Sequence, residues 1–137
     1  VIFVDSNVII DLLEPQGSWF AWSRDRIASG AASRRLVVNS IVVAECAPRF
    51  PTLDDLLAAF ASLEIGVEEL SLEAAFMAGR LFRNYRRASP ERTKILADFL
   101  IGAHASQIGA ELLTRDPRVY RRYFSDLTLI TPETSND

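Results

Sequence analysis

Val1-Ile2-Phe3-Val4-Asp5-Ser6-Asn7-Val8-Ile9-Ile10 carries the reading of the whole chain. Its first four residues are apolar without alternation, the pattern of a short strand buried on both faces in a parallel sheet. Asp5, Ser6 and Asn7 are helix-capping residue types, and Val8-Ile9-Ile10 with Leu12-Leu13 give the following helix its apolar side. A strand running into a capped helix opens an α/β unit. It leaves Asp5 at the carboxyl end of the strand, where open parallel sheets bind ligands.

The unit recurs outward from there. Leu36-Val37-Val38 predicts a second strand, with Asn39-Ser40 capping a short helix through Glu45 to about Ala47. Further strands are expected over Ile65 to Leu70, Leu112-Leu113-Thr114 and Leu127 to Ile130. Ser18 is expected to cap a helix with Trp19, Trp22 and Ile27 that ends near Gly30. Thr52 caps one with Leu53, Leu56, Leu57, Phe60 and Leu63, and Ser71 one with Ala74, Ala78, Leu81, Phe82 and Tyr85. Two more run from about Leu96 to Ile108, stopped by Gly109, and from Val119 to Phe124. Arg86 to Lys94 is polar, contains Ser89-Pro90 and reads as a mobile loop. The expectation is one domain over residues 1–132 and a tail over 133–137. Its class is α/β: a three-layer sandwich with a mainly parallel central sheet flanked by helices.

A chain of 137 residues with 49% apolar composition suits one globular core. No apolar run approaches the roughly 20 residues that span a bilayer. No export signal is evident, so a cytoplasmic protein is expected. Cys46 is the sole cysteine, which excludes an internal disulfide and a cysteine metal cluster. The net charge of −3 does not advertise nucleic-acid binding, but of 15 basic residues only Lys94 is lysine. Arginine is the better bidentate partner for phosphate.

Four acids stand at strand ends or helix starts: Asp5, Glu45, Asp98 and Asp116. Any one alone is explained by capping or by a solvated surface. Glu45 is harder to dismiss, because it follows Ile41-Val42-Val43-Ala44, where an isolated charge is costly. If the strands are parallel, the four converge on one crevice, and such a cluster repels itself unless a cation fills it. Carboxylates are hard oxygen ligands suited to Mg²⁺ or Mn²⁺, which can activate water toward a phosphodiester. Ser6, Asn7 and Thr114 are short polar groups able to orient these carboxylates.

The motifs Val4-Asp5-Ser6-Asn7-Val8-Ile9-Ile10-Asp11, Ala44-Glu45, Ala97-Asp98-Phe99-Leu100-Ile101-Gly102-Ala103-His104-Ala105 and Leu112-Leu113-Thr114-Arg115-Asp116 occur in this order. Tyr120, Tyr123-Phe124 and Leu129-Ile130-Thr131-Pro132 follow them. Together they resemble a PIN-domain ribonuclease of the VapC type, the toxin of a toxin–antitoxin pair. The resemblance covers nearly the whole chain and implies a PIN-like sandwich. It also implies an endoribonuclease dependent on Mg²⁺ or Mn²⁺, with Asp5, Glu45, Asp98 and Asp116 as its acidic cluster and Thr114 in support. It implies an RNA substrate, a cognate antitoxin protein and a homodimer or higher assembly. Ser6 stands where the family usually has Thr, and Ala97 where related chains often have Pro.

Two other readings stay open. An apolar strand ending in Asp also begins haloacid-dehalogenase-like phosphohydrolases, with Asp5 as nucleophile. Those need a second Asp two residues on as general acid, and Asn7 holds that place. The other is a PIN-like binding module without catalysis. Among the remaining residues, His104 lies six residues past Asp98, about 240° around a helix, so a structural role is expected. Cys46 is expected to be a small buried thiol, and Asp11 and Glu14 to lie on a solvated helix face. Trp19 and Trp22 suit either the core or an interface. Arg80, Arg83 and Arg87 share one helical face near Arg86, Arg92 and Lys94, while Arg115, Arg118, Arg121 and Arg122 gather near Asp116; both groups are candidates for RNA phosphates.

Overall fold

The computed structural model describes residues 1–88 and 96–134. Its strands are β1 (Ile2–Val4), β2 (Leu36–Val38), β3 (Ile65–Val67), β4 (Glu111–Leu113) and β5 (Leu129–Ile130). They form one sheet in the order β3-β2-β1-β4-β5, and every pairing is parallel. The sheet is thus wholly parallel, where a mainly parallel one was expected. Its helices are α1 (Ser6–Leu12), α2 (Phe20–Ser33), α3 (Ser40–Cys46), α4 (Leu53–Ser62), α5 (Leu72–Ala88), α6 (Leu96–Gln107) and α7 (Arg118–Tyr123). Parallel neighbours need crossovers, and helices fill them.

The unalternating apolar runs are explained by burial on both faces: every residue of β1 and β2 is buried. Register sets Phe3 opposite Leu112 and Val4 opposite Leu113 on one side, and Ile2 opposite Leu36 on the other. Phe3, Ile9, Leu36, Phe60, Phe99, Ile101 and Leu112 fill the core. Phe99 also sits in an aromatic group with Phe82, Tyr85, Tyr123 and Phe124, at centroid spacings of 5.4 to 5.9 Å.

Capping chemistry sets most helix starts. Asp5 accepts from the Ser6 amide, Asn39 from those of Ile41 and Val42, Thr52 from Asp55 and Ser71 from Ala74. Helix α2 departs from expectation at both ends. It starts after Trp19 with no side-chain cap, and it runs past Gly30 to Ser33. Gly30 permits a close approach rather than ending the helix, since a Cβ there would lie 3.0 Å from Leu36 Cδ2. Gly109, at φ +66°, does terminate α6 as read. Helix α5 continues through Arg86 to Ala88, so the start of the expected polar loop is helical; the rest of it lies outside the described residues. Leu53 and Leu57 point outward although Leu56 and Phe60 are buried. Beyond Pro132, residues to Thr134 form a 3₁₀ turn in which Glu133 pairs with Arg121.

The chain walks from β1 through β2 to β3 on one side, then returns to β4 and β5 on the other. The order therefore reverses between β1 and β4. At such a switch point the adjoining crossovers depart in opposite directions and leave a crevice outside the strands' carboxyl ends.

Candidate active site

Asp5 stands at the head of that crevice. Its amide extends the ladder, donating to Leu113 O at 2.9 Å. Its carboxylate is buried and takes donors from three segments. Oδ1 accepts from the Ser6 amide at 2.7 Å. Oδ2 accepts from Thr114 Oγ at 2.8 Å and from Tyr120 Oη at 3.0 Å. One side chain thus joins the end of β1 to α1, to the end of β4 and to α7.

Asp98 enters from the first turn of α6, and Asp116 from the segment between β4 and α7. Asp5, Asp98 and Asp116 line one cavity of about 270 Å³, with Ser6, Asn7, Arg115, Val119 and Tyr120 completing its wall. Glu45 is half-buried on α3 and connects through Ser6, whose Oγ donates to Glu45 Oε1 at 2.8 Å. Thr114 is the centre of the polar support. It donates to Asp5 and accepts from the Asp116 amide at 3.1 Å and from Asn7 Nδ2 at 3.4 Å. Asn7 Oδ1 in turn accepts from the Arg115 amide at 3.2 Å.

Burial pushes the Tyr120 phenol well above its ordinary range, and the negative charges of Asp5 and Asp98, the hydrogen bond to Asp5 and the charge of Glu45 push the same way. Tyr120 therefore stays protonated and acts as a donor.

The donor set, carboxylate oxygens around a small polar cavity, suits a hard divalent cation in chemistry and in size. Among the described residues, no group of three or more His, Cys, Asp or Glu is gathered to hold a metal ion. Asp5 accepts from Ser6, Thr114 and Tyr120, and Asp116 accepts from Arg118.

Arg118 is exposed and grips Asp116 with both ends of its guanidinium, at 3.0 and 3.2 Å. Arg115 lines the cavity too, but its guanidinium is turned to Asp11, at 2.8 and 2.9 Å. Asp11 corrects an expectation: it is 5% exposed rather than solvated. Ser23 Oγ from α2 also donates to it at 2.7 Å, and Arg115 lies over the Trp19 ring at 5.6 Å. Packing of α2 on α1 covers the face that the helical pattern assigned to water. Glu14 is exposed as read and pairs with Arg49 at 2.8 Å. Arg80, Arg83 and Arg87 are exposed on α5, and Arg80 lies over Phe76. Arg92 and Lys94 lie outside the described residues.

His104 is buried against Phe3, and its Nδ1 lies 3.0 Å from Asn39 Nδ2. Asn39 Oδ1 is taken by two amides, so its nitrogen must donate and His104 Nδ1 must accept. Burial lowers the His104 pKa, with Glu68 opposing, so the ring is a neutral structural element. Cys46 is buried, and burial with the nearby Glu45 charge raises its thiol to about 12. Trp22 packs on the core while Trp19 is 40% exposed, so the pair divides between the two settings expected for it. The reading from sequence assigned no role to Tyr120 and missed the Asp11–Arg115 pair. For Tyr120 the available signal was its place four residues after Asp116 on an apolar helix face.

A family model described as the PIN domain matches residues 2–125. The chain belongs to the PIN-domain family. No sequence relative among curated proteins matches it. Solved structures share the PIN fold at low identity. VapBC2 of Rickettsia felis, bound to a DNA fragment from its promoter, matches with a TM-score of 0.71 and 18% identity, over 95% of this chain and 97% of that one. FitAcB of Neisseria gonorrhoeae matches with a TM-score of 0.63 and 21% identity, over 98% and 99%. VapC20 of Mycobacterium tuberculosis, a toxin that cleaves the sarcin–ricin loop, matches with a TM-score of 0.64 and 17% identity, over 89% and 95%. No helix of this PIN domain among the described residues is long and apolar enough to cross a membrane.

Proposed function

We propose that this PIN domain is a divalent-metal-dependent endoribonuclease, the toxin of a toxin–antitoxin pair. The observation that carries the reading is the common cavity of Asp5, Asp98 and Asp116 at the β1/β4 switch point, with Glu45 tied in through Ser6. Among the similar structures, VapC20 is a toxin that cleaves the sarcin–ricin loop, and one from Klebsiella pneumoniae is a toxin–antitoxin complex. Asp5, Asp98 and Asp116, with Glu45 directly or through water, are the residues that would hold Mg²⁺ or Mn²⁺. Bound there, the ions would activate a water and neutralise charge on the phosphodiester.

The chain's own groups divide the remaining work. Ser6 and Thr114 fix the acids, and Asn7 fixes the backbone that leads to Asp116. Arg118, exposed and paired with Asp116, would exchange that partner for a phosphate, and Arg80, Arg83 and Arg87 offer a second basic face. Arg115 contributes by anchoring the cavity wall, since its guanidinium is paired with Asp11. The haloacid-dehalogenase-like alternative is disfavoured by Asn7, whose side chain bonds to Thr114 and to the Arg115 backbone and cannot act as an acid. A cognate antitoxin and self-association complete the reading, in a cytoplasmic setting.

Purified protein incubated with RNA and Mn²⁺ or Mg²⁺ should cleave it, chelator should stop the reaction, and Asp98→Ala should reduce it at least about a hundredfold. Equal cleavage by the variant would remove Asp98 from the assignment. A folded protein that gains no thermal stability from Mn²⁺ would favour the non-catalytic binding module.

A further inference from the structure

Thr114 and Tyr120 are six positions apart, yet both donate to a single atom, Asp5 Oδ2, at 2.8 and 3.0 Å. Asp116 lies on the segment between them. That segment is therefore a closed loop pinned at both ends to the carboxylate across the cavity. Thr114 is fully buried and has one proton to give; Asp5 Oδ2 at 2.8 Å is a nearer acceptor for it than Asp116 O at 3.5 Å, while Asn7 and the Asp116 amide donate to Thr114. Tyr120 is buried as well, held on α7 with its ring 6.2 Å from that of Phe124. The terminal torsion of an aspartate is soft and broad, so its orientation depends on the donors around it.

We propose that Tyr120 is a positioning residue that sets the orientation of Asp5 and the spacing between Asp5 and Asp116; this rests on the reading of both acids as metal ligands. Without the hydroxyl, Oδ2 loses the Tyr120 bond while Thr114 still donates to it, and the downstream end of the Asp116 segment loses its tie to Asp5. Groups that orient metal-binding carboxylates are worth about 10- to 100-fold in affinity or activity.

The test compares the full-length protein with Tyr120→Phe, which keeps the ring and deletes one oxygen. Mn²⁺ binding is followed by calorimetric titration without RNA, alongside thermal unfolding without metal and steady-state cleavage of an RNA oligonucleotide. The expected result is Mn²⁺ affinity weakened about tenfold and kcat lowered with KM for RNA unchanged. A Tyr120→Phe protein that melts lower without metal but binds Mn²⁺ within twofold of wild type overturns the proposal, leaving the hydroxyl a fold contact only. Asp98→Asn, which leaves the three bonds to Asp5 in place, serves as the separating control. If it binds Mn²⁺ as wild type does, or if wild type binds none, the metal reading itself fails and the positioning role falls with it. If Asp98→Asn loses binding and Tyr120→Phe does not, the metal reading stands and only the role of Tyr120 is lost.

Discussion

Arg118 Nε lies 3.0 Å from Asp116 Oδ1, and its second terminal nitrogen lies 3.2 Å from Oδ2, a two-pronged pairing two residues apart in sequence. The pair engages a carboxylate that lines the cavity and is proposed to bind a cation. The hydrogen bond to Asp116 and then its charge raise the Arg118 pKa, so the guanidinium stays charged. A divalent ion at Asp116 competes with this arginine. Arg118→Ala is expected to tighten Mn²⁺ binding modestly, about two- to fivefold, while weakening RNA binding. Calorimetric titration with Mn²⁺, and RNA binding measured at two salt concentrations, check the two halves separately. Weaker Mn²⁺ binding in the variant would show that the arginine organises the acid instead of competing for it.

Asp11 and Arg115 form a different kind of pair. Asp11 is almost wholly enclosed, and Arg115 reaches it with two nitrogens from 104 positions away. Removing one partner leaves the other charged and poorly solvated. Asp11→Ala is expected to cost about 2 to 3 kcal/mol in urea unfolding. Asp11→Ala combined with Arg115→Ala should lose less than the sum of the single changes. Strict additivity would mean that the two side chains do not interact.

The same pair shows where reading the sequence stopped. The fold was legible because its strands are unalternating apolar runs and its caps are short polar residues beside them. Asp5, Asn39, Thr52 and Ser71 each signalled a helix start by local chemistry. The positions of the acids at strand ends were legible for the same reason. Asp11 was not, because a helical pattern gives the faces of one helix and not which neighbour will cover them. Its burial follows from Ser23 on α2 and from Arg115, both distant in sequence. Ser18 failed as a cap because the turn at Gly17 brings the chain into α2 through the backbone, with the Phe20 amide donating to Gly17 O. Tyr120 counted only among the closing residues of the resemblance, and the fold is what brings its hydroxyl to Asp5.

Gly102 lies on α6, four residues beyond Asp98, and faces the Phe124 ring. A Cβ there would stand 2.7 Å from Cε2 and 2.8 Å from Cζ. Phe124 is itself enclosed by Phe99 and Tyr120, so the ring cannot simply withdraw. Gly102→Ala is expected to destabilise the protein by about 1 to 3 kcal/mol through overpacking. Adding Phe124→Leu should recover part of that loss, and thermal unfolding of the three variants is the measurement. A single variant as stable as wild type would mean that α6 and α7 separate at little cost.

His104 gives the protein a pH dependence with a definite sign. Its pKa in the fold lies below the 6.5 of the free side chain, chiefly because the ring is buried. Between the folded value and 6.5 the unfolded chain binds more protons, so stability rises with pH across that window. The contribution is complete above about pH 6.5 and is lost as pH falls toward the folded value. Urea unfolding at pH 7.5 and 5.5 should show wild type losing more stability on acidification than His104→Gln. Equal losses would assign the acid sensitivity to other groups.

Asp5 ties the first strand to three other segments while also heading the cavity. It follows that the choice of inactive variant is not neutral. Changing Asp5 alters a helix start and two long-range hydrogen bonds together with any chemistry, so silence in an assay of such a protein has two explanations. Changing Asp98, in the first turn of α6, leaves the three bonds to Asp5 in place. A catalytically dead protein for capturing intact RNA or a protein partner is best made there, with the architecture around Asp5 left whole.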